Sequence, residues 1–229
     1  MHRSLFSETG AVGGDSPSFA ELCVSGSRYD RYRTHFISRG YTAGQCIHTQ
    51  DETITHFGIV TAGILKAVNL SSSGEELCGA YFEKGDSFPE FLYLTGNRRY
   101  TYLLCAEKKS TVLWIPIYIL DEMLTGDPQL MGALLRYVSQ RGLKNQLYLN
   151  CMNYQTIRER IAYWIVGIQK IEAHDGVDMP RSQMIFSNML HVSRASLNQE
   201  LKQMEREGYF RIEKKTMHSI DVERLNQLL

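Results

Sequence analysis

The residue types with the most specific chemistry lie near the C-terminus, on one predicted helix. Arginine can donate two hydrogen bonds to guanine, asparagine and glutamine can pair with adenine, and serine and lysine commonly contact the phosphate backbone. Apolar residues at helical spacing, Leu197, Leu201 and Met204, define the buried face of this helix. We therefore predict that the opposite face contacts DNA. The side chains concerned are Ser193, Arg194, Ser196, Asn198, Gln199 and Lys202.

A helix-turn-helix must position these side chains. Residues 182–208 divide at residues 191–193 into a short helical piece and a longer one. Ser193 suits the N-cap of the longer helix, and Gly208 suits its C-terminal end. Two short helices joined by a turn of about three residues are typical of a helix-turn-helix.

A strand, a basic tip and a returning strand follow at residues 209–220, and this pattern predicts a wing. Lys214 and Lys215 form the tip and complete the predicted DNA-contacting set. Residues 181–215 carry seven basic and four acidic side chains, whereas the whole chain balances 25 Lys and Arg against 25 Asp and Glu. The local basic excess favours a DNA-binding protein with a modest dependence on salt. The alternative is an all-α packing module whose polar face is only solvated.

A long helix is predicted before this region, starting at Asp127-Pro128. Within residues 130–152, apolar or small residues and one asparagine recur at alternating steps of four and three, the spacing of a coiled-coil seam. They are Met131, Leu135, Val138, Gly142, Asn145, Leu149 and Met152. Roughly 23 residues make about 35 Å of helix, more than a small roll needs, so we favour a dimer seam over a helix that covers its own barrel. A second helix, 156–172, opens with a capping box, Thr156 to Glu159.

Residues 41–115 have a different pattern, in which short apolar runs, such as the predicted strand over residues 100–105, alternate with Gly, Asn, Asp or Ser. Such punctuation is typical of an antiparallel barrel or roll with tight turns, and residues 71–74 form the clearest hairpin tip. We expect no helix of useful length in this region. The turn at residues 174–178 and the domain boundary near residues 150–154 complete the predicted organisation.

Composition excludes several classes of protein. The longest apolar run, residues 112–120, is too short for a membrane span, and residues 1–18 lack the apolar core of a secretory signal, so we expect a cytoplasmic protein with no membrane partner. The five widely spaced cysteines favour thiols over disulfides, zinc or an iron–sulfur cluster, and one of them could sense redox state. The histidines suggest no haem site. No catalytic motif occurs, so we expect neither an enzyme nor a cofactor.

The stretch 192–208 resembles the recognition helix of Crp/Fnr-type transcription regulators. The resemblance extends over about residues 41–220 and includes Gly63, the segment Gly-Asp-Ser-Phe-Pro-Glu-Phe at 85–91, and the strand-Pro-helix junction at Trp114-Ile-Pro-Ile. It implies an α+β fold: an N-terminal antiparallel β-roll (a cyclic-nucleotide-binding-like jelly roll), a long dimerisation helix and a C-terminal winged helix-turn-helix. The predicted divisions are a flexible tail at 1–18, an effector-sensing roll with flanking helices at 19–126, the dimerisation helix at 127–152 and the DNA-binding domain at 153–229.

The resemblance also implies partners. A homodimer would bind palindromic double-stranded DNA, and an activator would contact RNA polymerase. Arg194 takes the position of the guanine-contacting arginine of the family. Ala195 and Gln199 stand where the best-known members usually have Glu and Arg, so we expect a different half-site. A ligand-binding module without DNA binding, or an enzyme, remains the alternative.

The sequence identifies the effector less clearly than it identifies the DNA-binding face. Cyclic-AMP-binding relatives have Phe-Gly-Glu followed by Arg-Ser, and the matching positions here are Phe88-Pro89-Glu90 and Tyr100-Thr101. Pro89 removes an amide donor, so we favour an aromatic or other organic ligand over a cyclic nucleotide, although a one-residue shift could bring Arg99 into the pocket. The aromatic side chains could equally be core. The candidate effector-binding residues are Phe88, Glu90, Phe91, Arg99, Tyr100, Thr101, Asn145 and Gln146.

Overall fold

The computed structural model describes residues 17–25, 27–70, 76–172, 176–180 and 182–229. Two four-stranded antiparallel sheets form the N-terminal roll, in the orders β1-β8-β3-β6 and β2-β7-β4-β5. Their strands are β1 (Ile37–Tyr41), β2 (Cys46–His48), β3 (His56–Ala62), β4 (Ile64–Leu70), β5 (Glu76–Glu83), β6 (Ser87–Phe88), β7 (Leu103–Ala106) and β8 (Ser110–Pro116). The predicted roll is confirmed, and the predicted hairpin tip at 71–74 lies outside the described residues.

The first sheet is covered on both faces, which explains why its central strands are nearly continuous apolar runs. On β8, Val112 and Trp114 face the interior of the roll, whereas Ile115 packs against a second cluster formed with the flanking helices. β3 divides in the same way, because successive side chains of a strand point to opposite faces. Phe57 and Ile59 contact the helices, and Val60 lies inside the roll.

The flanking helices are α1 (Phe19–Ser25), a 3₁₀ helix (Ser27–His35) and α3 (Ile117–Gly126), while α2 (Glu90–Leu94) is a single turn within the roll. Asp127 ends α3 and caps the next helix, since its Oδ1 accepts hydrogen bonds from the amides of Gln129 (2.9 Å) and Leu130 (3.4 Å). The predicted helix start at Asp127-Pro128 is therefore confirmed, and α4 runs over Pro128–Cys151. No helix formed by the described residues is long and apolar enough to cross a membrane.

The packing divides the chain within α4, between Val138 and Ser139. Leu130 and Leu134 belong to the core of the N-terminal unit, whereas Leu147 and Cys151 belong to that of the C-terminal unit. The functional division at residues 126/127 and 152/153 stays a prediction, because packing and function need not divide at the same residue.

The C-terminal unit combines helices with a small sheet of order β10-β11-β9. Its elements are α5 (Ile157–Glu172), β9 (Val177–Asp178), α6 (Gln183–Met189), α7 (Arg194–Arg206), β10 (Arg211–Glu213), β11 (Thr216–His218) and α8 (Val222–Asn226). The capping box of α5 is confirmed, since Thr156 and Glu159 exchange hydrogen bonds of 2.9 and 3.1 Å. The expectation of a turn over 174–178 is wrong at 177–178, because these residues pair with β11 as an edge strand.

Candidate nucleic-acid interface and effector region

Helix α7 presents the predicted face to solvent. Leu197, Leu201 and Met204 are buried, and Arg194, Gln199 and Lys202 on the other face are exposed. Ser193 caps the helix as predicted, since its Oγ accepts a hydrogen bond of 3.0 Å from the Ser196 amide. A capped helix with one buried stripe holds its polar side chains in fixed directions, which base recognition requires.

The C-terminal end of α7 is also as predicted. Gly208 has a φ of +80°, a value that glycine adopts without steric cost. The amide of Gly208 donates to the Glu205 carbonyl (3.0 Å), and that of Tyr209 donates to the Met204 carbonyl (3.1 Å). This pair of bonds is a Schellman motif, which ends the helix and turns the chain into the wing.

Arg158 on α5 anchors α7, and sequence reasoning did not identify this residue. Its guanidinium donates to Glu200 (2.6 Å) and forms two bonds with Glu207 (2.7 and 3.1 Å). The bonds to Glu207 and Glu200 raise the pKa of Arg158 above its ordinary value. The partners lie more than 40 positions away in the sequence, so no local pattern could have indicated the contact. The consequence is that α7 is fixed to α5 by charge as well as by apolar packing.

The polar residues of α7 differ in how freely they can reach a ligand. Asn198 is half-buried, and its side-chain amide donates to Gln183 at the start of α6 (3.0 Å). Ser196 is half-buried as well, with its Oγ 2.8 Å from the Ser193 Oγ. The exposed residues Arg194, Gln199 and Lys202 are therefore better placed than these two for direct contact with DNA.

The wing forms as a short hairpin of β10 and β11, in which Glu213 pairs with Thr216. Its strands are shorter than the predicted ones. The residues between α7 and Arg211 form the turn that ends the helix, and the residues after His218 lead into α8. Lys214 and Lys215 form the turn, and both are exposed. The wing thus carries two positive charges at its tip, in a position suited to phosphate contact.

In the roll, two of the predicted effector residues are core side chains. Phe88 is fully buried, with its ring centroid 5.2 Å from that of Phe82 and 5.3 Å from that of Trp114. The ring also lies directly over Gly58, where any Cβ would overlap it. Phe88 joins Pro89 through a cis peptide bond. Tight packing of this kind means that Phe88 fills the roll interior in this structure.

Tyr100 is 1% exposed and does not lie in a strand, contrary to the prediction of a strand over 100–105. Its backbone instead pairs with the segment after β2, through bonds to Glu52 (3.0 Å) and Asp51 (2.8 Å). The ring stacks on His48 at 4.4 Å. Burial raises the pKa of the hydroxyl, which makes no hydrogen bond with any described residue.

The other candidates lie in varied surroundings. Glu90 is 2% exposed at the start of α2. Arg99 is exposed, and its Nη1 donates to the Asp51 carbonyl (2.7 Å). Phe91 and Thr101 are exposed as well. Asn145 and Gln146 are exposed on the second half of α4, which belongs to the other packing unit.

Sequence reasoning also missed His48, which it treated as one of several scattered histidines. His48 Nδ1 lies 2.9 Å from Glu52 Oε1, and its ring makes an edge contact with Trp114 at 5.2 Å. The only local signal was the four-residue spacing to Glu52, which carries little information outside a helix. His48 therefore joins Tyr100 to the aromatic interior of the roll.

The comparisons with known proteins agree with this architecture. The family model of the cyclic nucleotide-binding domain matches residues 38–127. The model of the Crp-like helix-turn-helix domain matches residues 159–228, and together the two cover more than two thirds of the chain.

The chain belongs to the Crp/Fnr family of transcription regulators.

A relative in this family is the transcriptional activator protein Anr of Pseudomonas aeruginosa, 24% identical over 185 residues that cover 78% of this chain and 74% of Anr. Among solved structures, FixK2 from Bradyrhizobium japonicum matches with a TM-score of 0.59 and 18% identity, over 84% of this chain and 96% of that one. A CooA mutant from Carboxydothermus hydrogenoformans matches with a TM-score of 0.60 and 17% identity, over 93% and 96%. The predicted family and the predicted fold are thereby confirmed.

Proposed function

We propose that this Crp/Fnr-family regulator binds a palindromic operator as a homodimer, and that an organic effector other than a cyclic nucleotide controls it through the roll. The proposal of DNA binding rests on the exposed polar face of α7, a helix that is capped at both ends and anchored by Arg158. An activating role would add contact with RNA polymerase.

Arg194 is the central residue of the proposed base contact. It is the first residue of α7, it is exposed, and its side chain forms no hydrogen bond or ion pair with another described residue. Residues at the N-terminus of a recognition helix are the ones that enter the major groove most directly. Gln199 and Lys202 follow on the same face, and Lys214 and Lys215 of the wing supply phosphate contacts.

The operator can be found by selecting bound fragments from a random double-stranded pool. Mobility shifts on the selected fragment should show affinity that falls linearly with the logarithm of salt concentration. We expect Arg194→Ala to weaken operator binding about 10- to 100-fold, because one bidentate base contact is worth about 1–3 kcal/mol of discrimination. Binding to unrelated DNA should change little.

The matched control is Lys170→Ala, which removes an exposed positive charge from α5. It should leave operator affinity unchanged. If Arg194→Ala and Lys170→Ala behave alike, the assignment of Arg194 to base contact is wrong. If no fragment is selected with or without effectors, the DNA-binding proposal fails.

The proposed dimer rests on the exposed apolar side chains of α4. Leu135 and Leu149 are 51% and 71% exposed, two heptads apart on the predicted seam, and Leu143 close to it is 50% exposed. Large apolar side chains repeated along one helix are typical of an association surface. A second copy of this chain is the occupant that the seam spacing favours.

Sedimentation of the full chain tests the dimer. Leu149→Glu should shift the protein to monomer at concentrations where the unchanged chain is dimeric, because it places a charge in the seam. Gln140→Glu, a change at an exposed position off the seam, should leave the dimer intact. A monomeric unchanged chain would contradict the proposal.

The proposed effector differs from a cyclic nucleotide because the residues expected to bind the phosphate are altered. Tyr100, an aromatic residue with a buried hydroxyl, stands where cyclic-AMP-binding relatives have arginine. Arg99 is exposed and donates to the backbone of Asp51. The rings of Phe82, Phe88, Trp114 and Tyr41 fill the interior of the roll. An aromatic ligand with an acceptor for the Tyr100 hydroxyl would suit these side chains once the rings shift to admit it.

The match to a cyclic nucleotide-binding domain favours the alternative, a cyclic nucleotide effector. Calorimetric titration with cyclic AMP and with a panel of phenols and aromatic carboxylates distinguishes the two. We expect heat of binding from a member of the aromatic panel, lost in Tyr100→Phe, and none from cyclic AMP. Binding of cyclic AMP that is lost in Arg99→Ala would overturn the proposal.

A further inference from the structure

Two cysteines of the roll stand directly opposite each other on neighbouring antiparallel strands. Cys46 begins β2, Cys105 lies in β7, and the two are register partners. The sequence gives no sign of this pairing, since 59 positions separate them. Both are thiols in this structure.

The position in the ladder has the geometry that a disulfide needs. The Ala106 amide donates to the Gln45 carbonyl (2.9 Å), and the Gly44 amide donates to the Ala106 carbonyl (2.8 Å). Hydrogen-bonded and non-hydrogen-bonded pairs alternate along an antiparallel ladder, so the next pair, Cys46 and Cys105, is non-hydrogen-bonded. Cα atoms of such pairs are about 4.5 Å apart, within the range of roughly 4.4–6.8 Å found in disulfides.

Both thiols lie on the outer face of their sheet. Leu104 and Ala106, the neighbours of Cys105 in β7, are completely buried, so the side chain of Cys105 points the other way, where it is half-buried. Cys46 is exposed at the edge strand β2. A reagent in solution can therefore reach Cys46 first, with Cys105 positioned next to it.

Cys23 and Cys151 have different surroundings from this pair. Cys23 and Cys151 are completely buried, and burial raises the pKa of each thiol to about 12. Thiolates are the reactive form, so these two are inert at neutral pH.

On its other side, Cys105 has Lys66 of β4 as its register partner, and the Lys66 ammonium lies 3.8 Å from the Glu107 carboxylate. The cross-strand pair thus stands in a polar row on the surface.

We propose that Cys46 and Cys105 are a reversible redox site that low-molecular-weight disulfides oxidise to a cross-strand disulfide. The Cys46 thiolate attacks one sulfur of the small disulfide, forms a mixed disulfide and releases one thiol. The Cys105 thiolate then attacks the Cys46 sulfur and releases the second thiol. Two protein thiols are oxidised, one small disulfide is reduced to two thiols, and the two protons pass to the released thiolates.

The cross-link would tie the edge strand β2 to β7. β2 leads to the segment whose Asp51 and Glu52 pair with the backbone of Tyr100, and His48 at its end stacks on the Tyr100 ring. Oxidation should therefore slow hydrogen exchange at the amides of residues 46–48, because local opening of the edge strand is restricted.

The test treats the reduced full-length chain with oxidised glutathione, alkylates the remaining thiols and maps peptides by mass spectrometry without reduction. We expect a peptide containing Cys46 linked to one containing Cys105, which dithiothreitol separates. Cys105→Ser should accumulate glutathione on Cys46, with a lifetime about tenfold or more longer than in the unchanged chain, because the resolving thiol is missing. Cys46→Ser should give no cross-link.

Cys78→Ser is the matched control, since residue 78 is the register partner of Val68 in another row of the sheet, and it should retain the cross-link. Circular dichroism and operator binding of the reduced variants show that they are folded. Three results would overturn the proposal: stable glutathione on Cys46 in the unchanged chain, a cross-link through a different cysteine, or complete alkylation of both thiols after oxidation.

Discussion

The predicted DNA-contacting residues of α7 and two of the predicted effector residues, Phe88 and Tyr100, lie in opposite surroundings. In the C-terminal unit, Arg194, Gln199 and Lys202 project from a helix whose other face is buried. In the roll, Phe88 and Tyr100 are 0% and 1% exposed. A surface for a macromolecule is built outward from a core, so amphipathic spacing reveals it. An interior site for a small molecule uses the same residue types as the core itself, and spacing does not separate the two.

The largest effect is expected from a substitution in the core of the C-terminal unit. It tests whether this unit can unfold while the roll stays folded. Phe186 and Trp164 are completely buried, with ring centroids 4.5 Å apart. Phe186→Ala should cost about 3–5 kcal/mol, because it leaves a cavity, and should abolish DNA binding. Calorimetry should show a lower unfolding temperature for one transition only. Phe91→Ala, at a position 40% exposed in the roll, should change little. A single transition that shifts as a whole would show that the units unfold together.

The next prediction tests how tightly the roll interior is packed. Gly58→Ala should cost about 1–3 kcal/mol, since its Cβ overlaps the Phe88 ring and overpacking strains a dense core. Gly40→Ala is the matched control, another strand glycine with no atom within 4 Å of an added Cβ. Urea denaturation measures both. If Gly58→Ala is harmless, the Phe88 ring can move aside, as entry of the proposed effector into the roll requires.

The stability of the N-terminal unit should depend on pH through the carboxylate of Asp127. Hydrogen bonds from Tyr29 and Arg28 lower the pKa of Asp127 from 3.8 to about 2. Because the folded pKa is depressed, the stabilisation is complete above the unfolded value and is lost as the pH falls from about 4 to 2. We expect Asp127→Asn to cost about 1–2 kcal/mol at neutral pH and to flatten the acid limb of a stability–pH curve. Asp30→Asn, in an exposed ion pair with Arg33, should leave that limb unchanged.

The smallest effect concerns the cap of the recognition helix. Ser193→Ala removes the acceptor for the Ser196 amide and should cost about 1 kcal/mol. Ser193→Asp should keep most of the stability, because a carboxylate also caps a helix N-terminus. Thermal unfolding of the C-terminal unit measures both variants. If the two are equally destabilised, the hydrogen bond at Ser193 does not determine where α7 begins.

Sequence reasoning worked best where a local rule is specific. Ser193 and Gly208 marked the two ends of α7, and the pair Thr156 and Glu159 marked the start of α5, because caps depend on residues within one turn of each other. It failed at β9, where Val177 and Asp178 follow a turn signal and become a strand only by pairing with β11. Tyr100 was misassigned for the same reason, since its backbone partners lie about 50 residues away.

By itself, the sequence determined the family, the order of a roll, a long helix and a winged helix-turn-helix, and the side of α7 that faces outward. These features follow from hydrophobic periodicity and capping, which act over a few residues. The tertiary structure alone decided that Phe88 lies over Gly58, that Arg158 holds Glu200 and Glu207, and that Cys46 faces Cys105. Each of these contacts joins residues more than 25 positions apart, and only the register of strands and the packing of helices bring such residues together.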